Sequence, residues 1–387
     1  MKKKRDSAAL RPELALSVLQ QLIRIRTNLT DGCEMDAVKY AASILPDSIK
    51  LTVIDHGGNR GSLIGEIKGA RDDRKVAIFS YLDTVKNLGM DRWTHAPFAA
   101  DAADGIVYGK GAANMKGGVT ANLLAMAELS RGTPPVSVMM CLTAGGTEDG
   151  LGATEIAEKG YMDGATEAIF THATGGKIGV LQKGALWTKI SVTGKTSFSA
   201  TPSGGANAVE VLMEFCRRLR KRAVAAKGGK YSQYGRPSCT ITQFNSGAWE
   251  VNQIPSYAEA TADIRFMPGQ DPAGLIAAHD ETAAELMGAY DGVEIRTGIL
   301  KIQNSVYMPE DSEMVRRFAR ALAPRRAAFT GLNIFGDAGY IVPRTGVPFV
   351  IYGPGEYTSA VDEKISIKSI LSAAETYVKY IRTYEER

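Results

Sequence analysis

The chain alternates short, uninterrupted apolar runs with longer amphipathic stretches, and this alternation limits how it can fold more than any other feature. Four of the runs are residues 75–81, 136–142, 167–171 and 347–352. Runs of this length without polar alternation are typical of strands that are buried on both faces. Residues 119–129, between two of the runs, have the pattern of a crossover helix. Together these segments predict an α/β fold built on a mixed, mostly parallel sheet.

The middle of the chain follows a different order, which is strand, helix, two strands, helix, strand. Its segments are residues 186–192, 207–224, 239–244, 257–266, 272–290 and 293–299. A βαββαβ order is typical of a small two-layer α+β domain. We therefore expect one domain formed by residues 1–183 and 300–387, interrupted by an inserted α+β domain at residues 184–299.

Composition and charge exclude several classes of protein. The chain has 387 residues, of which 44% are hydrophobic and 23% charged, so it can bury at least one full core. A formal net charge of +4 gives no reason to expect a nucleic-acid partner. No apolar stretch is long enough to span a membrane. The basic start, Met1 to Arg5, is followed by an amphipathic helix pattern rather than by the apolar region of a signal peptide.

Two further features bear on location and partners. The four cysteines are scattered without paired spacing, which is typical of reduced thiols and favours a cytoplasmic protein. The basic run Arg217 to Arg222 lies on the first helix of the inserted domain. A solvated helix face is the favoured interpretation of such a run, and a binding site for an acidic partner is the alternative.

Polar residues follow the predicted buried strands at their carboxyl ends, where open α/β sheets bind ligands. The stretch "FSYLDTVKN", residues 79–87, ends a strand with Tyr81 and Asp83. Residues two apart in a strand share a face, so we expect both side chains to project into one cleft. Four other polar or glycine-rich loops are residues 108–119, 143–153, 171–179 and 353–363. The first of these matches neither common phosphate-loop spacing, so phosphate binding is not favoured.

Short motifs occur along the chain in a fixed order. They are Trp93 with Pro97 and Phe98, then Asp104 to Gly111, Asn114 to Gly118, Phe198 to Ala208, Asn252 to Pro255, Asp263 to Arg265, Gly336 to Ala338 and Gly353 to Gly355. In this order they resemble the di-zinc amidohydrolase and peptidase family of acetylornithine deacetylase, succinyl-diaminopimelate desuccinylase, aminoacylase and carboxypeptidase G. The resemblance covers nearly the whole chain. It implies that the insertion is a lid and dimerisation domain, and hence a homodimer.

The resemblance also identifies the positions of the family's zinc site, and most of them hold poor zinc donors. Tyr81 stands where the family has its first histidine ligand, and a phenol is largely protonated near neutral pH. Asn114 stands at the position of the bridging aspartate, and a neutral amide bridges two dications poorly. The paired glutamates, general base and then ligand, align with Gly146 and Thr147. A local bulge that brings Glu148 into the base position is the alternative alignment.

Three more family positions complete this comparison. His172 replaces the glutamate of a Glu-Pro turn and keeps a good zinc donor. Ser359 aligns with the last histidine ligand, and Phe198 with the lid histidine that holds the reacting carbonyl. Losing one supporting residue of a metal site lowers affinity roughly 10- to 100-fold, so these changes predict a degenerate site without a metal cofactor.

Other positions of the family pattern are retained. Asp83, which orients the zinc-bound histidine in the family, is present. The resemblance gives Asn252 and Arg265 contacts with the substrate backbone and carboxylate, and Arg suits bidentate carboxylate recognition. A salt-bridged sheet arginine is an equally weighted alternative for Arg265. Gly353 and Gly355 would shape the binding cleft.

Three hypotheses follow. The first is a metal-independent enzyme acting on an amino-acid-derived carboxylate substrate, such as an N-acyl amino acid or a peptide, by amide cleavage, acyl transfer, cyclisation or elimination. Asp83 or His172 would be the general acid or base, Tyr81 and Asn114 would donate to a developing oxyanion, and Ser359 would complete the rebuilt pocket. The second is a non-catalytic binding or regulatory protein. The third is a zinc-dependent amidohydrolase with displaced ligands.

Overall fold

The computed structural model describes residues 9–28, 34–86, 89–225, 229–248, 250–356 and 361–384. The chain forms two compact units. The first comprises Met1–Leu181, Met308–Thr330 and Gly336–Arg387, and the second comprises Gln182–Tyr307 with Gly331–Phe335. None of the helices in the described part of the chain is both long and apolar enough to cross a membrane.

The expected fold class, α/β with an inserted α+β element, is confirmed by the order of helices and strands. The helices are α1 (Pro12–Arg24), α2 (Glu34–Ile44), α3 (Gly117–Leu129), α4 (Leu151–Glu158), α5 (Ala208–Ala223), α6 (Pro272–Ala289), α7 (Glu313–Ala321), α8 (Ala338–Thr345) and α9 (Ile367–Arg382). The strands are β1 (Lys50–Gly57), β2 (Arg60–Ile67), β3 (Arg71–Tyr81), β4 (Ala102–Ala103), β5 (Ile106–Tyr108), β6 (Val136–Thr143), β7 (Glu167–Ala173), β8 (Ile178–Gln182), β9 (Gly184–Thr193), β10 (Ser238–Ser246), β11 (Tyr257–Phe266), β12 (Glu294–Gln303), β13 (Val306–Tyr307), β14 (Phe329–Leu332), β15 (Phe349–Gly353) and β16 (Lys364–Ser366).

The main sheet of the first unit is mixed, with parallel pairs at its centre. Its strands run in the order β1-β2-β6-β3-β7-β15-β8. β3 pairs parallel with both β6 and β7, and β7 pairs parallel with β15. Every residue of β6 and of β15 is buried, which explains why these strands read as continuous apolar runs. Parallel pairing brings the carboxyl ends of β3, β6 and β7 to one edge, where Tyr81 lies opposite Thr143.

Helix α3 is buried along nearly its whole length, as expected for a helix whose sequence has no polar face. It starts at two glycines that allow close packing. A Cβ at Gly117 would lie 2.4 Å from Ile365 Cδ1, and a Cβ at Gly118 would lie 2.6 Å from the carbonyl oxygen of Thr171. The start of α3, which follows Asn114 in the chain, is thus fixed against the end of β7.

The second unit is a two-layer α+β domain with the predicted βαββαβ order. Its antiparallel sheet runs β10-β11-β9-β12. Residues of α5 and α6 and alternate residues of the sheet form one core, which includes Leu186, Leu212, Phe215, Ile264 and Leu286. Side chains alternate between faces along a strand, so the residues between these core positions lie on the other face of the sheet.

The basic run on α5 is largely paired within this unit. Arg217 and Arg218 form ion pairs with Glu214, at 2.7 Å each. Arg218 and Arg222 also pair with Glu285 on α6, at 3.0 and 2.6 Å. An acidic partner is therefore not needed to neutralise these three arginines, although binding of such a partner at Arg217 to Arg222 stays a prediction.

Candidate functional site

Tyr81 and Asn114 are in direct contact at the edge of the main sheet. The Tyr81 hydroxyl donates a hydrogen bond of 2.5 Å to Oδ1 of Asn114. Tyr81 is 1% exposed, and Asn114 lies where the segment Ala112–Lys116 departs from helical geometry. The Asn114–Met115 peptide bond is cis. The hydroxyl proton of Tyr81 is thus held by Asn114, so the side-chain NH₂ of Asn114 is the donor that remains for another group.

Gly146 lies directly under the ring of Tyr81. A Cβ at Gly146 would be 2.3 Å from two ring atoms of Tyr81. No side chain fits in that space unless the tyrosine ring moves. The tyrosine at position 81 and the absence of a side chain at position 146 are therefore sterically linked.

Asp83 is fully buried and holds the loop after β6. Its Oδ1 accepts the backbone N–H of Gly146 at 2.7 Å, and its Oδ2 accepts the backbone N–H of Thr147 at 2.9 Å and the Thr147 hydroxyl. Burial raises the pKa of Asp83 to about 6, although the hydrogen bonds from Thr147 oppose that rise. Its hydrogen-bond partners are thus loop donors rather than a histidine.

Glu148 lies at the surface, away from these contacts. It forms an ion pair of 3.3 Å with Lys86, and its side chain is 42% exposed. Gly146 and Thr147, rather than Glu148, contact Tyr81 and Asp83. Whether Glu148 or Gly146 corresponds to the family's general-base position stays a prediction.

His172 ends β7 beside Tyr81. The two rings meet edge to face with centroids 5.3 Å apart, and His172 is 1% exposed. Within the part of the chain that the structure describes, neither ring nitrogen has a hydrogen-bond partner. A Cβ at Gly336 would lie 2.1 Å from Nε2, so the backbone of Gly336 packs on this nitrogen. Burial lowers the pKa of His172 to about 4, so its ring is neutral near pH 7.

Asp337 is a buried carboxyl group that the sequence reasoning matched to a family motif without giving it a role. It is 2% exposed, and its Oδ2 accepts the Thr143 hydroxyl at 2.6 Å. Its Oδ1 has no hydrogen-bond partner among the described residues. Burial, together with the nearby charge of Asp83, raises the pKa of Asp337 to about 7, although the hydrogen bond from Thr143 opposes that rise. The only sequence signal for this group is an acidic residue in a loop before α8.

Glu363 fixes the loop that carries Asn114 and was also missed. Its carboxylate accepts the backbone N–H groups of Gly111, Ala113 and Asn114 at 2.8, 2.9 and 2.7 Å. Glu363 is buried, and burial raises its pKa while these three hydrogen bonds oppose the rise. Lys116, on the same segment, is also buried and donates to the carbonyl oxygen of Ile25 at 2.8 Å. Asn114 is therefore positioned by a carboxylate distant in sequence.

These groups do not fit a pair of zinc ions. Across the described ranges, no group of three or more His, Cys, Asp or Glu residues is arranged to hold a metal ion. His172 supplies one imidazole, but Tyr81 and Asn114 bind each other and the oxygens of Asp83 accept three donors. Two zinc ions need several anionic or imidazole donors and a bridging carboxylate. Ser359, at the position of the last ligand, lies outside the described residues.

Arg265, in the second unit, is both a salt-bridged sheet residue and a group with one donor left over. Its Nε and Nη2 donate to Asp263 at 2.8 and 2.9 Å. Its Nη1 is buried and lacks a hydrogen-bond partner among the residues described, as does Nε1 of Trp187. The Phe335 ring contacts both residues, at 4.7 Å from the Arg265 guanidinium and 5.6 Å from the Trp187 ring centre. Two unpaired donors thus border one aromatic ring.

Asn252 lies on an exposed loop of the second unit that pairs with the segment of Phe198. Phe198 and Gln253 form an antiparallel bridge, and the Asn252 carbonyl accepts the Ser199 N–H at 2.8 Å. Phe198 is 60% exposed. Phe198 and Asn252, to which the resemblance gives different roles, thus lie on neighbouring, paired segments.

The two predicted cleft glycines are both required by the backbone, in the first unit. A Cβ at Gly353 would lie 2.4 and 2.5 Å from the carbonyl oxygens of Thr171 and His172. Gly355 has a φ of +74°, which L side chains rarely adopt. These glycines let the turn after β15 approach the backbone of His172.

Comparison with known proteins identifies the family. The sequence model of Peptidase family M20/M25/M40 matches residues 78–383, which is more than half of the chain. The chain belongs to this family. The resemblance to amidohydrolases and peptidases drawn from the sequence motifs is thereby confirmed.

Individual M20 relatives are similar over nearly the full length. A probable succinyl-diaminopimelate desuccinylase of Staphylococcus epidermidis is 24% identical over 405 residues, covering 96% of this chain and 98% of that protein. The solved di-peptidase Dug1p from Saccharomyces cerevisiae aligns with a TM-score of 0.77 and 16% identity, over 98% of this chain and 97% of that chain. An M20 family metallo-carboxypeptidase, Sso-CP2 from Sulfolobus solfataricus, aligns with a TM-score of 0.76 and 18% identity, over 96% and 99%. Because these identities are low, the solved structures show that the fold is shared and nothing more.

Proposed function

We propose that this M20 protein acts without the di-zinc centre of its family, as a metal-independent enzyme on an amino-acid-derived carboxylate substrate. The observation that supports this most directly is the Tyr81–Asn114 hydrogen bond above Gly146. The sequence resemblance aligns this phenol, this amide and this glycine with three positions that carry the family's zinc chemistry, and the three groups pack on one another. The reaction classes are amide cleavage, acyl transfer, and cyclisation or elimination.

Each of these reactions needs a group that moves a proton, and the pKa values separate the two candidates. His172, with its lowered pKa, is neutral near pH 7 and serves as a hydrogen-bonding group. Asp83, with a pKa raised to about 6, titrates closer to neutrality and is our candidate general acid or base. The side-chain NH₂ of Asn114 donates to a developing oxyanion, while Tyr81 orients that amide.

In this proposal the substrate carboxylate binds in the second unit. Arg265 Nη1 and Trp187 Nε1 are buried donors without partners among the described residues, and a buried donor left unpaired costs about 1–3 kcal/mol. Lys183 is also buried, and its pKa is lowered by burial and by the charge of Arg265. An anionic ligand would satisfy these donors and reduce the repulsion between the two cations. Asn252 of the second unit would contact the substrate backbone, and in the first unit Gly353 and Gly355 would shape the cleft beside His172.

A second candidate function is binding or regulation without catalysis. Asp83 favours it in one respect, because the residue is 0% exposed and both of its oxygens already accept hydrogen bonds. A carboxylate held in this way can simply stabilise the loop after β6. Turnover therefore has to be measured separately from binding.

The first experiment tests for metal and for turnover together. Protein purified from zinc-supplemented cells would be analysed for metal and assayed with N-succinyl and N-acetyl amino acids and with dipeptides, before and after chelation. The S. epidermidis relative, named as a desuccinylase, makes N-succinyl compounds the first substrates to try. We expect well below one zinc per chain and turnover that chelators do not change. One or two zinc ions per chain with chelator-sensitive turnover would establish the displaced-ligand zinc enzyme instead.

The second experiment tests the proton-transfer role. Asp83→Asn should lower kcat by about 100-fold or more, the typical contribution of a general acid or base. His172→Gln should have a smaller effect, because a neutral amide preserves hydrogen bonding. Asp101→Asn, at an exposed aspartate of the first unit, is the matched control. Unchanged turnover in Asp83→Asn would rule out its acid or base role, and substrate binding without any turnover would favour the binding protein.

A further inference from the structure

A second pocket lies in the first unit, behind the turn that contains Gly353 and Gly355. It is formed by this turn, by Gly175 and Gly176 of the loop after β7, and by the first two turns of α9. Its volume is about 290 Å³. Pockets of roughly 300 Å³ are at the small end of those that bind small molecules, so this one suits a ligand of few atoms.

Arg325 lines one wall of the pocket and is anchored along one edge. Its Nη2 donates to the Tyr352 hydroxyl at 3.3 Å and to the Thr376 hydroxyl at 3.2 Å. Tyr352 is buried, and its carbonyl oxygen accepts the Tyr377 hydroxyl at 2.6 Å, which makes this wall rigid. Arg325 forms no ion pair with any residue in the described ranges. The Nε and Nη1 groups of Arg325 are therefore preorganised to donate to an acceptor.

Glu356 lines the pocket as well and lies over Gly175. A Cβ at Gly175 would be 2.7 Å from Oε1 of Glu356, so this side chain lies directly against the Gly175 backbone. Gly175 has a φ of +62°, and its N–H donates to the carbonyl oxygen of Gly355 at 2.9 Å. Glu356 has no ion-pair partner among the residues that the structure describes. The pocket thus contains a carboxylate as well as a guanidinium, and they do not pair with each other.

From these charges we infer that the pocket binds a small zwitterionic α-amino acid. The ligand carboxylate would accept from Nη1 or Nε of Arg325, since Nη2 already donates twice, and the ligand ammonium would donate to Glu356. The hydroxyl of Ser372, on the α9 wall, offers a further hydrogen bond. Both charged side chains are exposed, and solvent-exposed ion pairs contribute little, so we expect a dissociation constant of about 1 mM.

The lining of this pocket includes none of the side chains of Tyr81, Asp83, Asn114 and His172. Gly353, in the turn that borders the pocket, packs on the carbonyl oxygens of Thr171 and His172. An amino acid bound there would therefore contact the turn next to His172 without contacting those four side chains. The inference does not depend on the proposed reaction, because binding can be measured without turnover.

The test is titration of the full chain with L-alanine, followed by calorimetry or by ligand-observed NMR. Acetate and ethylamine, which each carry one of the two charges, are titrated in parallel. We expect saturable binding of L-alanine only, weakened at least about 10-fold in Arg325→Met and in Glu356→Gln, as loss of one charged hydrogen bond predicts. Arg326→Met and Glu375→Gln, at exposed residues that do not line the pocket, are the matched controls and should bind normally.

Each other outcome contradicts the inference in a distinct way. Acetate binding as tightly as L-alanine, with no effect of Glu356→Gln, would identify a simple anion site. Binding that is lost in Arg265→Met but kept in Arg325→Met would place the amino acid in the second unit. Absence of saturable binding in the wild-type chain, with normal thermal unfolding, would show that the pocket has no such ligand.

Discussion

The side chain of Tyr81 limits the size of the residue that fits at position 146. The tyrosine ring covers the glycine so closely that a single methyl group would overlap it, at 2.3 Å from two ring atoms. A tyrosine at position 81 and a glycine at position 146 are therefore compatible as a pair, whereas changing either one alone would leave a clash or a gap.

We predict that Gly146→Ala destabilises the protein by about 1–3 kcal/mol, the typical cost of overpacking a buried site. The cost should be smaller when Tyr81→Gly is also present, because the ring and the Cβ of Tyr81, which both meet the new methyl group, are then absent. Urea unfolding of both single variants and of the double variant measures this coupling.

Gly132→Ala is the control for this prediction, since nothing lies within 4 Å of a Cβ at that position. It should change the free energy of unfolding by less than about 1 kcal/mol. Equal destabilisation by Gly146→Ala in the presence and absence of Tyr81 would contradict the steric coupling.

Asp337 should make stability depend on pH. Its pKa is about 7 in the folded protein and 3.8 when unperturbed, so the folded state holds an extra proton between these values. The free energy of unfolding should then fall as pH rises from about 4 to about 7. Asp337→Asn stays neutral and can still accept from Thr143, so it should be more stable than wild type at pH 8, by roughly 1–4 kcal/mol.

Thermal unfolding at pH 4 and pH 8 provides the measurement. The difference between Asp337→Asn and wild type should nearly vanish at pH 4, where the aspartate is protonated in the folded state. Asp83 titrates in the same window, so the variant should keep part of the pH dependence. A variant less stable than wild type at pH 8 would show that the charged form of Asp337 is the favoured one.

At the scale of helices and strands, most of the fold could be predicted from the sequence. The apolar runs at residues 75–81 and 136–142 lie within β3 and β6, because strands buried on both faces leave an unambiguous pattern. The approach of Glu363 to residues 111–114 left no such pattern. A carboxylate that accepts backbone N–H groups about 250 residues earlier in the chain has no local signature, and neither does a buried aspartate such as Asp337.

The loop before α3 should depend on Glu363. Glu363→Gln removes the negative charge and replaces one acceptor oxygen by an NH₂ group that faces backbone N–H donors. We expect a loss of about 2–3 kcal/mol, the range for hydrogen bonds to charged groups, and faster hydrogen exchange at Ala113 and Asn114. Glu375→Gln, at an exposed position of α9, should change neither quantity. Unaltered exchange in Glu363→Gln would mean that other contacts hold this loop.

At the scale of the whole molecule, the second unit has two open sheet edges, β10 and β12. Ile299, Leu300 and Ile302 on β12 are 51, 56 and 45% exposed. An exposed apolar edge strand readily pairs with another chain. These features support the homodimer that the family resemblance implies, with β12 as the contact.

Leu300→Lys tests this assignment, because a further charge among the exposed apolar residues of β12 should weaken pairing. Light scattering after size exclusion should give twice the mass of one chain for wild type and the mass of one chain for the variant. Val53→Lys, which replaces a similarly exposed valine on β1 of the first unit, should remain dimeric. A wild-type monomer would show that the edge strands stay unpaired, and a dimeric Leu300→Lys would move the interface away from β12.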